Sequence, residues 1–456
     1  MPLILGTNSI KDTGFNVANS LRFNRGSSDN LTRSTGTATN NDKATVSFWL
    51  KRSGSSSQGI IAEDTNGSNK FAFILNSNQK IELVQETGGS TEFNLITTRV
   101  FRDNSAWYHI VIAYDSSQGT ASNRIKVYVN GVQETAFDTG TYPSSNVDFR
   151  FNKNSITQQI GSYENTAHME GYLSEFVFID GQQLDPTSFG EFDEDSGIWK
   201  PKDVSGLTFG TNGFYLDFED SSALGNDAAG SNNFTVNNLT AIDQSTDTCT
   251  NNFAIGNPLL NYNPVLSEGN LVLTSSGTAW KNSMSTIGVS SGIWYHEVKI
   301  TAESGVPYQL IGVTDSYHPN SWGASPPNYL GVGALQIGYY NDNGSYYKGD
   351  SQTSYGASFG VNDIIGVLLD LDAGTPTIKF YKNDADQGSI NLPTSSNSTG
   401  LWFFMQSMYI STCSVNYGSP AHAISSGNQD GNGYGNFEFE TKGGYTLNSK
   451  NLAEYG

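Results

Sequence analysis

Two stretches of the chain carry side chains suited to recognising a sugar. One is Ser316-Tyr-His-Pro-Asn-Ser-Trp322, running on through Asn328-Tyr329; the other is Tyr339-Tyr-Asn-Asp-Asn-Gly-Ser-Tyr-Tyr347. A sugar ring offers C–H faces, which aromatic rings cover, and hydroxyls, which planar polar side chains bond. Tyr317, His318, Asn320, Trp322, Tyr329, Tyr340, Asn341 and Tyr346 are therefore the candidate ligand-binding residues. Their segments are rich in Pro, Gly and Asn, hence loops, where aromatics carry more functional weight than on strands. The competing reading is a loop folded onto its own domain, or a contact between subunits.

Other clusters have the spacing of chemistry but a poor context. Hydrolysis of a glycosidic bond needs two carboxylates about 5–10 Å apart. Glu191-Phe-Asp-Glu-Asp195 places acids two apart, as one face of a strand would. It lacks flanking β-branched residues and follows Asp185-Pro186, so it reads as a polar acidic turn. Asn428, Asp430 and Asn432, followed by Gly433, copy the opening of a calcium-binding EF-hand loop, but the twelfth position is Phe439 and not Glu. A Gly/Asn turn is the simpler reading; calcium there, or near Asp64-Thr-Asn66, is a weaker candidate. His109 and His296 each follow Trp-Tyr at a strand start and read as packed sheet histidines. No nucleophile elbow, zinc-protease motif or phosphate loop occurs, so catalysis by a familiar mechanism lacks its parts. No cofactor is expected.

Composition narrows the classes further. The chain has 456 residues, enough for two or three domains. Aromatics reach 12% and charged residues only 15%, the reverse of a disordered acidic chain. Net charge is −20 and no basic patch occurs, which argues against nucleic-acid binding. The two cysteines form no framework. Cys413 lies in an apolar run and reads as an inert buried thiol; Cys249 lies in a polar stretch and could be exposed. The opening MPLILGTNSIKD has no basic region and too short an apolar stretch for a signal peptide. No window of about 20 apolar residues exists, so no membrane insertion is expected.

The elements that must hold these residues are strands. Val46, Phe48 and Leu50 share one face; Ile110, Ile112 and Tyr114 oppose Val111 and Ala113; Ile125, Val127 and Val129 point inward while Lys126 and Tyr128 face out. Alternation with period two means antiparallel sheets with one covered face. Asn130-Gly131 predicts a two-residue hairpin, returning through Val132 to Phe137. In the second half Val298 and Ile300, then Ile378 and Phe380, point inward, and Asp363–Asp372 is apolar on both faces like a central strand. Trp107-Tyr-His109 and Ile125–Asn130 are echoed by Trp294-Tyr-His296 and Ile378–Asn383, so two domains share a plan. Patterning weakens over 189–264, where Phe214–Phe218 is the one clear strand. After Gly418 a Gly/Asn-rich tail begins, with strand-like pieces at Phe437–Phe439 and Tyr445–Leu447.

Ala44–Leu50, Trp107–Ile112, Ile125–Gly131 and Met169–Ile179, in that order, resemble the laminin-G/pentraxin sandwich of concanavalin A-like type. Gly292–Val298, Ile311–Val313, Gly338–Tyr340, Phe359–Asp372, Phe380–Asn383 and Val415–Gly418 resemble the SPRY domain. Gly6–Asp12, Gly431–Glu438 and Lys450–Glu454 resemble structural proteins of marine phages that combine these two modules. The expected fold is all-β: two tandem antiparallel sandwiches of jelly-roll type. The expected boundaries are an N-terminal arm (1–20), a laminin-G-like sandwich (21–220), a linker (221–264), a SPRY-like sandwich (265–418) and a tail (419–456). The resemblance implies a virion surface protein: a fibre, spike or capsid decoration, adhering without covalent chemistry to host glycans or proteins or to other virion proteins. SPRY domains bind proteins and peptides through loops; laminin-G-like domains bind glycans or proteins, sometimes with calcium. A homo-oligomer, such as a trimer, is expected because edge strands must be covered. The alternatives are a secreted lectin-like protein of a cell and a glycan-degrading tailspike enzyme.

Overall fold

The computed structural model describes residues 14–64, 67–164, 166–260, 263–316 and 328–456. The chain forms two compact units that meet in sequence between Thr250 and Asn251. Each is a β-sandwich, and strand pairing is antiparallel apart from a two-residue parallel contact of Trp294 and Tyr295 with Tyr445 and Thr446.

The first unit stacks two eight-stranded sheets. At the centre of one, Lys43–Arg52 lies between Trp107–Asp115 and Gly171–Asp180. The other runs through Lys70–Leu75, Gln58–Asp64, Thr157–Ile160 and Asn30–Ser34. Alternation works as the residues predict: Val46, Phe48, Leu50, Ile110, Ile112, Tyr114, Ile125, Val127 and Val129 all enter the core between the sheets. Asn130 and Gly131 have φ of 49° and 77°, the left-handed pair that the tight hairpin requires. The returning strand is shorter than expected. Only Val132–Gln133 pairs back; Phe137 pairs instead with Thr97 of the opposite sheet.

The second unit is organised by one long ribbon. Ile293–Asp315 pairs with Trp402–Asn416 along most of its length, with register breaks between Ile300 and Ala302 and between Glu303 and Tyr308. Ile293–Lys299 also pairs with Ile364–Asp370, whereas Leu310–Thr314 pairs with Gln336–Tyr340. The bulges let a single strand serve both layers. Trp294, Val298, Ile300, Ile378 and Phe380 fill the core, and Ile364–Asp370 is the central strand predicted.

Two segments differ from the sequence reading. The stretch expected as a linker (221–264) is largely integral to the sandwiches: Thr235–Asn237 pairs with Asn30–Thr32, and Gln244–Ser245 with Ser20–Leu21. Phe234 and Leu239 join the first core, Ala254 and Ile255 the second. The tail is likewise bound, with Phe437 fully buried, Tyr445–Thr446 paired and Ser449–Tyr455 helical. Such pieces are too short to show a period, so the hydrophobic pattern misses them. Of the expected arm, Val17 donates its backbone N–H to Thr250 Oγ1, and Ser20 opens a strand.

Candidate ligand-binding surface

The second sandwich carries a closed circuit of aromatic rings on an outer sheet face. Centroid distances run Trp280–Tyr308 6.2 Å, Tyr308–Tyr340 5.7 Å, Tyr340–Tyr347 5.6 Å, Tyr347–Tyr329 5.2 Å and Tyr329–Trp280 5.3 Å. Tyr409 joins it, 5.7 Å from Trp280 and 5.8 Å from Tyr308. All six rings are half-buried, and their floor is Leu310, Leu330 and Met405.

Strand alternation builds this surface. Tyr308 and Leu310 on the long strand, Met405, Ser407 and Tyr409 on its partner, and Tyr340 and Tyr347 on the next hairpin share one face. The segment that carries Tyr329 is pinned across it. Ser407 Oγ accepts from the Leu330 N–H at 2.8 Å and donates to Asn282, and Asn282 Nδ2 donates to the Asn328 carbonyl at 3.0 Å. Burial pushes the hydroxyls of Tyr329, Tyr340 and Tyr347 up, reinforced by Asp350 beside Tyr329 and Tyr347 and by Asp342 beside Tyr340 and Tyr347. They therefore remain protonated donors at neutral pH. The surface offers aromatic faces, hydroxyl donors and carboxylate acceptors, the set that sugar recognition uses.

The structure sorts the predicted residues. Tyr329 and Tyr340 belong to the circuit. Tyr346 does not: it is opposite Tyr339 in the hairpin, so it turns to the core face and packs on Tyr355. Its neighbour Tyr347 takes the place predicted for it. Asn341 is structural. It is 4% exposed; its Oδ1 accepts from the Gln309 N–H at 2.8 Å and its Nδ2 donates to Glu303 Oε1 at 3.2 Å, closing the bulge of the long strand. Tyr317, His318, Asn320 and Trp322 lie outside the described residues. Sequence reasoning missed Trp280, Tyr308, Tyr347 and Tyr409. Counting the hairpin register outward from the Asn341–Gly344 turn would have found Tyr347; the other three required knowing which strands adjoin.

The first sandwich contains a serine–histidine pair that resembles a nucleophile and its base but is wired the other way. His109 Nδ1 accepts from Trp199 Nε1 at 2.9 Å, so the neutral ring carries its proton on Nε2, which faces Ser47 Oγ at 2.9 Å. The ring thus donates to the serine and cannot take its proton. Burial pushes the imidazole down to about 3, which keeps it neutral. Glu175 borders the same small cleft. It occupies a bulge with φ 50°, is 7% exposed, and accepts from Tyr215 Oη at 2.7 Å. Burial pushes its carboxyl up to about 8.

The remaining clusters are structural as well. Asp193 accepts from the Ser196 N–H and hydroxyl and pairs with Lys200 at 3.3 Å in a polar turn, whereas Glu191, expected in that turn, lies on the short strand Gly190–Phe192 that pairs with Trp199–Pro201. Asp430 spends both oxygens on N–H donors: Oδ1 on Asn432 and Tyr434, Oδ2 on Thr446 and on Asn451 Nδ2. Four donors fill its lone pairs, so the calcium-like spacing of Asn428, Asp430 and Asn432 serves to fold the tail. Among the described residues no group of three or more His, Cys, Asp or Glu is arranged to hold a metal ion. Cys413 is fully buried. Cys249, which its polar stretch could have left exposed, is half-buried against the cluster of Trp49, Trp107, Tyr172 and Trp199, and burial pushes its thiol up. No helix among the described residues is long and apolar enough to cross a membrane.

Comparison with known proteins divides the chain in the same way. The profile of the Concanavalin A-like lectin/glucanases superfamily matches residues 25–183, and that of the SPRY domain matches residues 293–419. A human SPRY domain is 23% identical over 34% of this chain and 94% of its own length, with a TM-score of 0.26. A heptameric SAP-like pentraxin from Limulus polyphemus is 17% identical over 38% of this chain and 80% of its own, with a TM-score of 0.28. A Bacteroides ovatus protein proposed to bind carbohydrate is 16% identical over 49% of this chain and 59% of its own, with a TM-score of 0.36. No curated protein matches the chain. The protein is thus all-β, with a concanavalin A-like sandwich followed by a SPRY sandwich.

Proposed function

We propose that the chain is a non-enzymatic, lectin-like adhesion protein on the surface of a phage particle, and that the aromatic surface of its second sandwich contacts host glycan. The observation that carries this reading is the six-ring aromatic surface itself, half-open to solvent, with Tyr308, Tyr340, Tyr347 and Tyr409 on sheet strands and Trp280 and Tyr329 flanking them. Rigid aromatics on strands lose little entropy when they bind. The wiring of His109 and the self-satisfied turn at Asp193 support binding without turnover. The likeness of the chain ends to phage structural proteins supports the virion setting. The edge strands Val132–Gln133 and Phe137–Thr141 of the first sandwich are available for other virion proteins or for further copies, a trimer among them.

The test is a glycan array, with and without EDTA, comparing the parent chain with Trp280→Ala. Trp280 is half-buried and joins Tyr308, Tyr329 and Tyr409, so its loss should weaken binding at least about tenfold, with circular dichroism and melting of the variant checking that the fold survives. Equal binding by the variant, or an empty array, overturns the glycan reading. Mass spectrometry of purified particles tests the virion setting, and light scattering tests for the oligomer.

A further inference from the structure

We infer that the aromatic surface selects by charge: it takes sugar chains that are neutral or carry amines and rejects those bearing carboxylate or sulfate. This rests on the adhesion reading above and specifies its ligand class. Three observations converge on it. The circuit presents ring faces, whose quadrupole is negative and repels anions while favouring C–H groups and cations. The charged groups that act on its hydroxyls are Asp342 and Asp350, both exposed; Asp350 Oδ1 lies 3.4 Å from Tyr329 Oη. Among the described residues, the neighbouring lysines are directed elsewhere. Lys348, next to Tyr347, donates to the Asn391 carbonyl at 2.8 Å, and Lys281 lies on the strand face opposite to Asn282. The chain as a whole carries −20, so long-range steering has the same sign.

A carboxylate about 6 Å from a ligand charge in wet surroundings changes affinity about threefold, and the two together about tenfold at low salt. Screening should erode this as ionic strength rises. Neutral hydroxyls, in contrast, gain acceptors from the same two aspartates.

A matched β-1,4-linked series tests the inference within the array: cello-oligosaccharide, its C6-carboxylated counterpart and the glucosamine oligomer, alongside sulfated and unsulfated pairs of each glycan that binds. We expect neutral and amine-bearing members to bind about tenfold better than anionic ones at low salt. The double variant Asp342→Asn, Asp350→Asn should lose most of that gap; its amide oxygens accept more weakly from neutral hydroxyls, so the ratio of anionic to neutral affinity is the quantity read. Anionic members binding equally well or better, or a gap untouched by the double variant, overturns the charge inference and leaves the adhesion reading standing. Absence of binding by every array member overturns both.

Discussion

Glu175 gives the sharpest test of the physical account, because its consequence has a defined sign and window. Its carboxyl sits in the bulge of Gly171–Asp180, with Tyr215 as donor and Asp217, Glu219 and Asp203 as neighbouring charges of the same sign. Lys202 borders the same cleft but directs its Nζ to the Thr187 carbonyl at 3.3 Å. Burial therefore raises the carboxyl from 4.5 to about 8. Between these values the folded chain keeps a proton that the unfolded chain has released. The stabilisation is complete below about 4.5 and is lost as pH rises through about 8. Taken in full, that interval corresponds to ~5 kcal/mol, an upper bound because water entry at the bulge would relieve part of it.

Glu175→Gln keeps an oxygen to accept from Tyr215 and removes the titration. The parent chain should lose stability steadily between pH 5 and 9, and the variant should lose less by at least ~2 kcal/mol, or roughly 4–8 °C in the transition of this sandwich. Calorimetry at intervals across that range measures it, and fluorescence of Trp49, which borders the same cleft, reports locally. Parallel stability–pH curves for the two proteins would show that the carboxyl is not held protonated, and the account of the bulge would fail.

Other perturbations follow from single contacts. Lys51 Nζ and Asp247 Oδ2 lie 2.6 Å apart with side chains 0% and 1% exposed, and Trp107 Nε1 donates to Asp247 Oδ1. Asp247→Asn removes the carboxylate 2.6 Å from the buried ammonium and should cost ~3–5 kcal/mol in urea unfolding, whereas Lys51→Met combined with Asp247→Leu should recover most of that. At Gly131, a Cβ would meet the Trp199 ring at 2.4 Å in a φ of 77°, so Gly131→Ala should lower stability by ~1–3 kcal/mol. Asp430→Asn should free the tail at a cost of ~1–3 kcal/mol, seen as faster hydrogen exchange at Thr446 and Asn451, and calcium should leave the melting temperature of the parent chain unchanged.

The sandwiches were legible because their strands are long enough to alternate: five to ten residues such as Trp107–Asp115 or Ile125–Val129 show which face is inward. The aromatic surface was legible only in part. Tyr329 and Tyr340 stood out because they lie in segments dense with aromatics. Asn341 has the right chemistry for a sugar, but the bulge between Glu303 and Tyr308 must be closed, and its amide closes it. Trp280 and Tyr409 lie far apart in sequence and meet only because Lys281–Met284 and Trp402–Asn416 pair. Local patterning carries no information on that neighbour relation.

The repeated tripeptide shows what the weakly patterned segments are for. Trp107-Tyr-His109 and Trp294-Tyr-His296 each lie at the start of a strand but face opposite ways. In the first sandwich Trp107 and His109 lie on the outer face, away from the core between the sheets. In the second, Trp294 and His296 point into the core, with His296 between Phe404 and Tyr417, and it is Tyr295 and Glu297 that lie on the outer face. Either arrangement leaves polar groups on an outer sheet face, and burying them without partners is costly. The chain solves both with its irregular pieces. The ribbon of Gly190–Phe192 and Trp199–Pro201 brings the Trp199 N–H to His109. The tail brings the N–H groups of Glu438 and Phe439 to Glu297 at 3.0 and 2.8 Å and lays Phe437 against Tyr295 at 5.2 Å. Segments with no hydrophobic period therefore follow a physical rule of their own. At His109 and at Glu297 they run to an outer sheet face that carries a buried polar side chain and supply its partners, whereas His296, turned into the core, packs between Phe404 and Tyr417.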